Sequence, residues 1–262
     1  MTQHAHPVLR TIGLTIRFGG HVAVDAVDCA FHRGTLTAIV GPNGAGKTTY
    51  FNLMSGQLRA SAGRVELDGV DVTALGPAAR TKRGMGRAFQ LTNLFPNLTV
   101  HENVRLAVQA RAGGGGDLLS RWTRRVDWIE RSDQILEDVS LEASRDTLAA
   151  ALPHGSQRKL EVAVMMALEP HVFMFDEPTA GMSVDEVPVV LDLIRRLKGQ
   201  GDKTILLVEH KMDVVRSLAD RIVVLHNGRL VADGEPAAVI ASPVVQEAYL
   251  GIPAGAAEPT DA

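Results

Sequence analysis

The chain of 262 residues contains a single cysteine, Cys29, which excludes a disulfide framework and a cysteine-rich metal site. No apolar run approaches the roughly 20 residues that a membrane-spanning helix needs. Short runs, such as 205–208 and 222–225, have the length of buried strands. The N-terminal residues MTQHAHPVLR lack the apolar core of a signal peptide. We therefore expect an intracellular protein in a reducing compartment, without a membrane span of its own.

Positive charge is not in excess either, since 27 Lys and Arg residues stand against 30 Asp and Glu residues. A nucleic-acid-binding domain normally has a strongly basic balance, so the composition argues against nucleic acid as a partner. No internal repeat and no sustained heptad pattern is visible. The content of hydrophobic residues, 45%, suffices for a sizeable core.

The order of strands and helices indicates the fold class. Residues 8–40 read as short strands with turns, and residues 91–165 read as mostly helical. After residue 170, the apolar runs HVFMF, TILLV and RIVVL alternate with helical segments, which is typical of a parallel sheet with crossover helices. Asn227-Gly228 predicts a two-residue hairpin turn. The tail 252–262, rich in Ala, Gly, Pro and acidic residues, is predicted to be disordered.

The strongest motif is GPNGAGKTT at 41–49, which lies between the predicted strand LTAIV and a predicted helix. It satisfies G-x-x-x-x-G-K-[ST], the pattern of a loop whose backbone N–H groups surround phosphates. In this pattern Lys47 reaches the β- and γ-phosphates, and the Thr48 hydroxyl coordinates Mg²⁺. The residues predicted to bind the nucleotide here are Gly41, Asn43, Gly44, Ala45, Gly46, Lys47, Thr48 and Thr49.

A pair of acidic residues follows the apolar run VFMF. Asp176 stands at the end of the predicted buried strand, where it would enter the Mg²⁺ shell. Glu177 comes next and is placed to polarise an attacking water. An acidic pair after an apolar strand is common by itself, but together with the phosphate loop it favours a hydrolase over a simple binder.

Five motifs in this order resemble those of the ATP-binding subunit of ABC transporters. They are the loop at 41–49, Gln90 within GRAFQLTNLFPNLTV, the segment LPHGSQRKLEVA, the segment FMFDEPTAGMS, and His210 within LLVEH. More narrowly, FGG at 18–20, AGMS, and EAYLG at 247–251 look like the ATPase subunits of branched-chain amino acid importers. Relatives of that group are thought to carry urea, amides or aromatic acids.

The resemblance implies an α/β fold: a P-loop ATPase core with a mainly parallel sheet, an N-terminal antiparallel β subdomain and an inserted helical subdomain. It covers 8–251 as a single ATP-binding domain. The core with its β subdomain would span 8–90 and 166–251. The helical subdomain, with the signature motif, would span 91–165.

The resemblance also implies roles for residues outside the phosphate loop. Phe18 would stack on adenine, although an ordinary core phenylalanine is the alternative. Gln90 would act in catalysis by sensing the γ-phosphate and would also contact Mg²⁺. His210 would contact the γ-phosphate and help to hold the attacking water. Otherwise, a histidine after an apolar strand is most often a structural residue.

The signature segment departs from the family pattern at Pro153, where a serine is expected. Proline has neither a hydroxyl nor an N–H, so we expect His154, Gly155 and Ser156 to supply the contacts to the nucleotide of a partner subunit. The alternative is a decayed half-site that no longer makes these contacts. The helix that follows is predicted to start near Ser156. Ser183 stands where the family at large has an aspartate, and it or Asp185 would cap the next helix, with Pro188 in the first turn.

The implied assembly contains two membrane-spanning permease subunits, a second copy or a related ATP-binding subunit, and, indirectly, an external solute-binding protein. The chain would dock around residues 90–100 on the cytoplasmic face of a bacterial cell membrane, with ATP and Mg²⁺ as cofactors. The resemblance thus implies an ATPase that energises solute import, and the alternative is a soluble ABC-type ATPase acting on nucleic acid or the ribosome. Such proteins need a long coiled coil, zinc-binding cysteines or tandem cassettes. A P-loop kinase would leave DEPTAG and His210 unexplained.

Overall fold

A computed structural model describes residues 6–88, 94–113, 126–182, 184 and 187–250. The strands are β1 Leu9–Phe18, β2 His21–Phe31, β3 Leu36–Val40, β4 Ala62–Leu67, β5 Val70–Asp71, β6 Met85–Ala88, β7 Val172–Asp176, β8 Thr204–Val208, β9 Arg221–His226 and β10 Arg229–Gly234. The helices are α1 Lys47–Ser55, α2 Pro77–Lys82, α3 Val100–Arg111, α4 Val126–Asp138, α5 His154–Ala167, α6 Val187–Gly199, α7 Met212–Leu218, α8 Pro236–Ile240 and α9 Pro243–Leu250. Short 3₁₀ turns occur at Glu142–Ser144 and Ala149–Ala151.

The chain divides into two compact units, with boundaries between Gly76 and Pro77 and between Lys203 and Thr204. The first unit holds the two ends of the chain, and the second unit holds the middle. The predicted division into 8–90 with 166–251 and 91–165 uses other boundaries, and it stays a prediction.

The first unit contains two kinds of sheet. Strands β2, β1, β4 and β5 form an antiparallel sheet in that order, which confirms the predicted N-terminal antiparallel β structure. Strand β3 pairs in parallel with β8 and β9, and all five of its residues are buried. A strand covered on both faces is mostly apolar, which explains the sequence LTAIV, in which only the buried Thr37 is polar.

The hairpin predicted at Asn227-Gly228 joins the antiparallel strands β9 and β10. Both residues have positive φ, 48° and 76°, as the favoured two-residue hairpin turn requires. Side chains from β3, β9, α7, α8 and α9 form one buried cluster, which consists of Ala38, Val40, Val215, Ile222, Val224, Val239 and Val245.

In the second unit, the parallel strands β6 and β7 lie beside helices. Their register pairs Met85 with Val172 and Ala88 with Phe175. Helices α3, α4 and α5 pack on one another, as predicted for the helical segment. Helix α3 begins with a capping box, in which Thr99 accepts a hydrogen bond from the Glu102 N–H while the Glu102 carboxylate binds the Thr99 N–H.

Within the described residues, no helix combines the length and the apolar character needed to span a membrane. The predicted disordered tail, 252–262, lies outside the described residues. So do most of the glycine-rich segment at 112–117 and the basic, aromatic segment that follows it.

Candidate functional site

The predicted phosphate loop lies in the first unit, between the end of β3 at Val40 and the start of α1 at Lys47. Gly41 and Gly46 have φ values of 153° and 94°, a backbone conformation that favours glycine. A Cβ added at Gly41 would lie 2.1 Å from the Leu225 carbonyl oxygen, and one added at Gly46 would lie 2.4 Å from the Ala23 carbonyl oxygen. The loop therefore keeps its shape only with glycine at these two positions.

The end of α1 that faces this loop suits an anion. The N-cap, Gly46, makes no side-chain hydrogen bond, and the first turn of α1 contains no acidic residue. The positive end of the helix dipole is thus not offset by a carboxylate of the helix itself. The Lys47 Nζ donates to the carbonyl oxygens of Gly41 at 2.7 Å and Pro42 at 3.0 Å, which holds the ammonium group within the loop.

The other predicted nucleotide contacts in this loop differ in exposure. Asn43, Gly44 and Thr48 are exposed, while Ala45 is buried and Thr49 is partly buried. The Thr48 hydroxyl is therefore on the surface of the first turn of α1. Gly44 has φ of 80° with open space around its Cα, so its conformation, rather than crowding, favours glycine there.

Phe18 ends β1, where it pairs with His21 across the antiparallel sheet. It is 49% exposed, so it is not an ordinary core phenylalanine. A ring in this position has an accessible face for stacking.

His210 follows β8 directly and stands before α7, with a side chain 52% exposed. Its backbone N–H donates to the carboxylate of Glu209 at 2.9 Å, and the N–H of Lys211 donates to the same oxygen at 3.2 Å. Glu209 itself is completely buried. Its carboxylate therefore fixes the turn from which His210 projects, a role that the sequence reading did not identify.

The second unit carries the predicted acidic pair. Asp176 ends β7 and is 3% exposed, as expected for a residue closing a buried strand. Glu177 is partly buried and has φ of 47°. A non-glycine residue with positive φ is uncommon, and such strained residues cluster at active sites.

Asp176 has a partner that the sequence reading missed. The Arg87 Nη2 on β6 donates to the Asp176 Oδ2 at 2.9 Å. Burial lowers the pKa of the Arg87 guanidinium, and the Asp176 carboxylate partly offsets this effect. The available signal was an arginine inside the short strand MGRA, since a charged residue in a buried strand requires a counter-charge nearby.

The signature segment also lies in the second unit. Helix α5 begins at His154, two residues before the predicted start, with Pro153 at the N-cap and no side-chain capping bond. Proline fits this position because its φ of −56° is within the range that its ring allows, and its missing N–H would have no partner within the helix. His154 is exposed, Gly155 is buried and Ser156 is partly buried. A Cβ added at Gly181 would lie 3.6 Å from the Cε1 of His154, so the signature segment adjoins the loop after DEPT.

A second buried ion pair occurs one turn into α5. The Arg158 Nη1 donates to the Glu161 Oε2 at 2.7 Å, and both side chains are almost fully covered. Burial raises the pKa of the Glu161 carboxyl, and the adjacent Arg158 opposes this shift.

Three predicted residues, Gln90, Ser183 and Asp185, lie outside the described residues. The prediction for Pro188 concerns a described residue: α6 starts at Val187, which places Pro188 in the first turn as expected.

Two described residues offer the donor chemistry that suits Mg²⁺, which takes oxygen ligands and is usually held by one or two carboxylates together with substrate phosphates. Asp176 offers a buried carboxylate at a strand end. Thr48 offers an exposed hydroxyl on the helix that begins at the phosphate loop. Both are oxygen donors of the kind that this ion prefers.

Comparison with known proteins gives one family match. The model of the ABC transporter family matches residues 24–180. The chain is 36% identical, over 94% of its length and 99% of the relative's, to the high-affinity branched-chain amino acid transport ATP-binding protein BraF of Pseudomonas aeruginosa. It is 35% identical, with the same coverage, to the corresponding protein LivG of Escherichia coli.

Solved structures show the same likeness. The ADP conformation of MJ1267, an ATP-binding cassette of an ABC transporter, superposes with a TM-score of 0.80 at 30% identity. That superposition covers 95% of this chain and all of the other. The cbiO1 protein of Clostridium perfringens superposes with a TM-score of 0.76 at 26% identity, covering 91% of this chain and 92% of the other.

Proposed function

The chain belongs to the ABC transporter family, and from that premise we propose that it hydrolyses ATP to energise the import of a small solute. Membership confirms the predicted ATPase and the P-loop fold. The observation that carries the proposal is a glycine-dependent phosphate loop, in a chain that matches amino acid transport ATP-binding proteins over almost their whole length.

Branched-chain amino acids are the proposed solutes, and related small solutes such as amides or urea are the alternatives. The support is that BraF and LivG, the relatives described above, are ATP-binding proteins of high-affinity branched-chain amino acid transport. An ATPase subunit of this kind does not touch the solute. The solute would be captured by an external binding protein and passed through two permease subunits.

Within the first unit, the phosphate loop would bind ATP. The backbone N–H groups of Gly44, Gly46 and Lys47 would face the phosphates at the positive end of α1. The Lys47 ammonium now donates to two backbone carbonyls, and phosphate oxygens are stronger acceptors because they are charged. On binding, Nζ would therefore turn from the loop carbonyls to the β- and γ-phosphates. Phe18 would stack on the adenine.

Hydrolysis would use the residues that the ABC transporter motifs assign to it. Mg²⁺, when bound, neutralises charge on the phosphates, and Thr48, Asp176 and Gln90 are the proposed ligands. Glu177 would accept a proton from the attacking water, which its carboxylate orients. His210 would hold the γ-phosphate from the turn that Glu209 fixes.

The signature segment would complete the site of a second ATP-binding subunit, either an identical copy or a related chain. Helix α5 starts at His154, so the N–H groups of its first turn point out of its N-terminal end. Gly155 and Ser156 lie in that turn, and His154 is exposed beside Gly181. These groups would supply the contacts that Pro153 cannot make.

The permease would dock on the second unit near residues 94–100. Phe95 and Leu148 are 57% and 48% exposed, and Leu148 bridges to Thr99. Asn103 holds this segment to α3, because its side chain binds both the N–H and the carbonyl oxygen of Phe95. The exposed ring of Phe95 is thus presented on a fixed backbone, which suits a membrane-protein partner. Such docking would hold the chain at the cytoplasmic face of the membrane.

The test is to tag a Glu177→Gln variant, which should bind ATP and stall before hydrolysis, and to purify it from detergent-solubilised native membranes with Mg-ATP. Mass spectrometry should find multispan permeases; a related ATP-binding subunit among the recovered proteins would identify the second subunit as a different chain. The matched control adds Phe95→Ser and should lose the permeases while still binding ATP. Recovery of only cytosolic or nucleic-acid partners would contradict the transport function and favour the soluble ATPase.

A further inference from the structure

The ion pair between Arg87 and Asp176 is unusually well buried. Their side chains are 8% and 1% exposed, and the hydrogen bond from Nη2 to Oδ2 is 2.9 Å long. Removing either partner would leave a buried charge without its counter-charge, which is far more costly than losing a surface pair. A pair of this kind is maintained in one geometry.

The strand register explains why these two residues meet. Arg87 pairs with Met174 across the parallel strands β6 and β7, and Asp176 lies two residues beyond Met174. Side chains two residues apart in a strand point to the same face, so Arg87 and Asp176 are diagonal neighbours on that face. The position of the guanidinium is thus set by the hydrogen-bonded backbone of both strands.

Asp176 is also the carboxylate that the proposed function assigns to Mg²⁺. Partners that hold a metal ligand in position usually affect metal affinity although they do not touch the metal. We propose that Arg87 is a positioning residue for Mg²⁺ binding: it holds the Asp176 carboxylate through Oδ2 in one orientation before the metal arrives. This inference rests on the proposed function of the site.

A cation beside a carboxylate could also act in the opposite direction and compete with Mg²⁺. The geometry favours positioning, because the hydrogen bond uses one carboxylate oxygen and the pair is fixed by adjacent strands. A metal that coordinates through the other oxygen does not require the ion pair to break. If Arg87 positions Asp176, loss of Arg87 weakens Mg²⁺ binding. If Arg87 competes with Mg²⁺, its loss strengthens Mg²⁺ binding.

The experiment measures how much Mg²⁺ strengthens nucleotide binding. The full-length chain is titrated with mant-AMPPNP, a fluorescent non-hydrolysable ATP analogue, once with EDTA and once with excess Mg²⁺. The Kd in EDTA divided by the Kd in Mg²⁺ measures the contribution of the metal alone, because the phosphate loop and the adenine contacts act in both titrations. Arg87→Met should lower this ratio by about 10-fold while the Kd in EDTA stays within about two-fold of the parent. The ratio for Arg87→Lys should lie between those of the parent and Arg87→Met, because lysine keeps the charge and lacks the planar donor geometry.

Two controls separate positioning from loss of stability. Arg158→Met breaks another buried ion pair in the same unit, and both members of that pair line the same small cavity as Asp176. It should lower the melting temperature and leave the Kd ratio unchanged. In an Asp176→Asn background, where the ligand is already lost, Arg87→Met should lower the ratio no further.

The outcomes are distinguishable. An unchanged or increased ratio in Arg87→Met would overturn the positioning role, and so would an equal decrease in Arg158→Met. If the parent protein itself showed no difference between EDTA and Mg²⁺, the metal site of the proposed function would fail. If Arg87→Met did not fold, Arg87→Lys would decide the question. The positioning role predicts that Arg87→Lys lowers the Kd ratio of the parent and leaves the ratio of Asp176→Asn unchanged.

Discussion

The carbonyl oxygen of Leu225 lies so close to Gly41 that a Cβ added at this glycine would be 2.1 Å from it. Leu225 belongs to β9, and Gly41 opens the phosphate loop directly after β3, which pairs with β9. The shape of the loop is therefore tied to the sheet beside it.

Replacing Gly41 with alanine should distort the loop. The methyl group would meet a backbone atom that cannot move aside, and φ of 153° is unfavourable for alanine. We expect a loss of at least about 1–3 kcal/mol in the free energy of unfolding, together with loss of ATP binding. Urea denaturation and ATP titration check this. Gly20→Ala is the matched control, because no atom lies near a Cβ there; equal effects of both changes would contradict the account.

Replacing Phe18 with alanine should weaken ATP binding without affecting stability. The ring is 49% exposed, so little apolar burial is lost. Stacking of a base on an aromatic ring contributes about 1–3 kcal/mol, which corresponds to roughly 5- to 150-fold in Kd. Phe18→Trp keeps an aromatic face and should retain affinity. If Phe18→Ala lost stability and bound ATP with an unchanged Kd, Phe18 would have a structural role and would not stack on the adenine.

Replacing Glu209 with alanine should loosen the turn that carries His210. Two backbone N–H groups would lose a charged acceptor, and each such bond contributes about 1.5–3 kcal/mol. Stability and ATP hydrolysis should both decrease. Glu209→Gln has a side chain of the same shape that keeps one acceptor oxygen. Its stability and its rate of ATP hydrolysis should therefore lie between those of the parent and Glu209→Ala. If Glu209→Ala hydrolysed ATP as the parent does, the positioning of His210 would not depend on Glu209.

The buried His101 should make stability depend on pH. Burial, followed by the charge of Arg145, lowers its pKa below the ordinary value, although Asp133 opposes the shift. Below pH 6.5 the unfolded chain therefore binds a proton that the folded chain does not, and stability falls as the pH falls. His101→Gln should reduce this slope below about pH 6.5. An unchanged slope in His101→Gln would contradict this account.

Ser156→Ala tests the substitute contact in the signature segment. If the Ser156 hydroxyl replaces the donor that Pro153 lacks, ATP-driven dimerisation should weaken by about 1.5–3 kcal/mol, or roughly 10- to 150-fold. Sedimentation with ATP in a Glu177→Gln background measures the association. Lys159→Ala, three residues further along α5, should change it little. Unchanged dimerisation in Ser156→Ala would exclude this hydroxyl as the substitute.

Much of the fold could be predicted from the sequence because its signals are local. Strands β3, β7, β8 and β9 are continuous apolar runs, and a strand buried on both faces requires such runs. The hairpin at Asn227-Gly228 depends on two neighbouring residues with positive φ. The glycines of the phosphate loop are local signals in the same way, because their backbone also has positive φ.

What the sequence could not reveal depends on pairing between distant segments. Arg87 and Asp176 are 89 positions apart, and only the register of β6 and β7 brings them together. The buried carboxylate of Glu209 looked like any acidic residue after a strand. The sequence predicts the start of α5 two residues too late, because Gly155 is typical of a turn, whereas the chain is already helical from His154.

The most direct test of the central claim compares ATP binding and Mg-ATP hydrolysis in the same preparations of the parent, Glu177→Gln and Lys47→Ala. We predict that Glu177→Gln binds ATP as tightly as the parent and loses hydrolysis by at least about 100-fold, since general-base catalysis contributes about that much or more. Lys47→Ala should lose both, because the ammonium group of the phosphate loop is gone. Hydrolysis by Glu177→Gln at the rate of the parent would contradict the assignment of this chain's catalytic site.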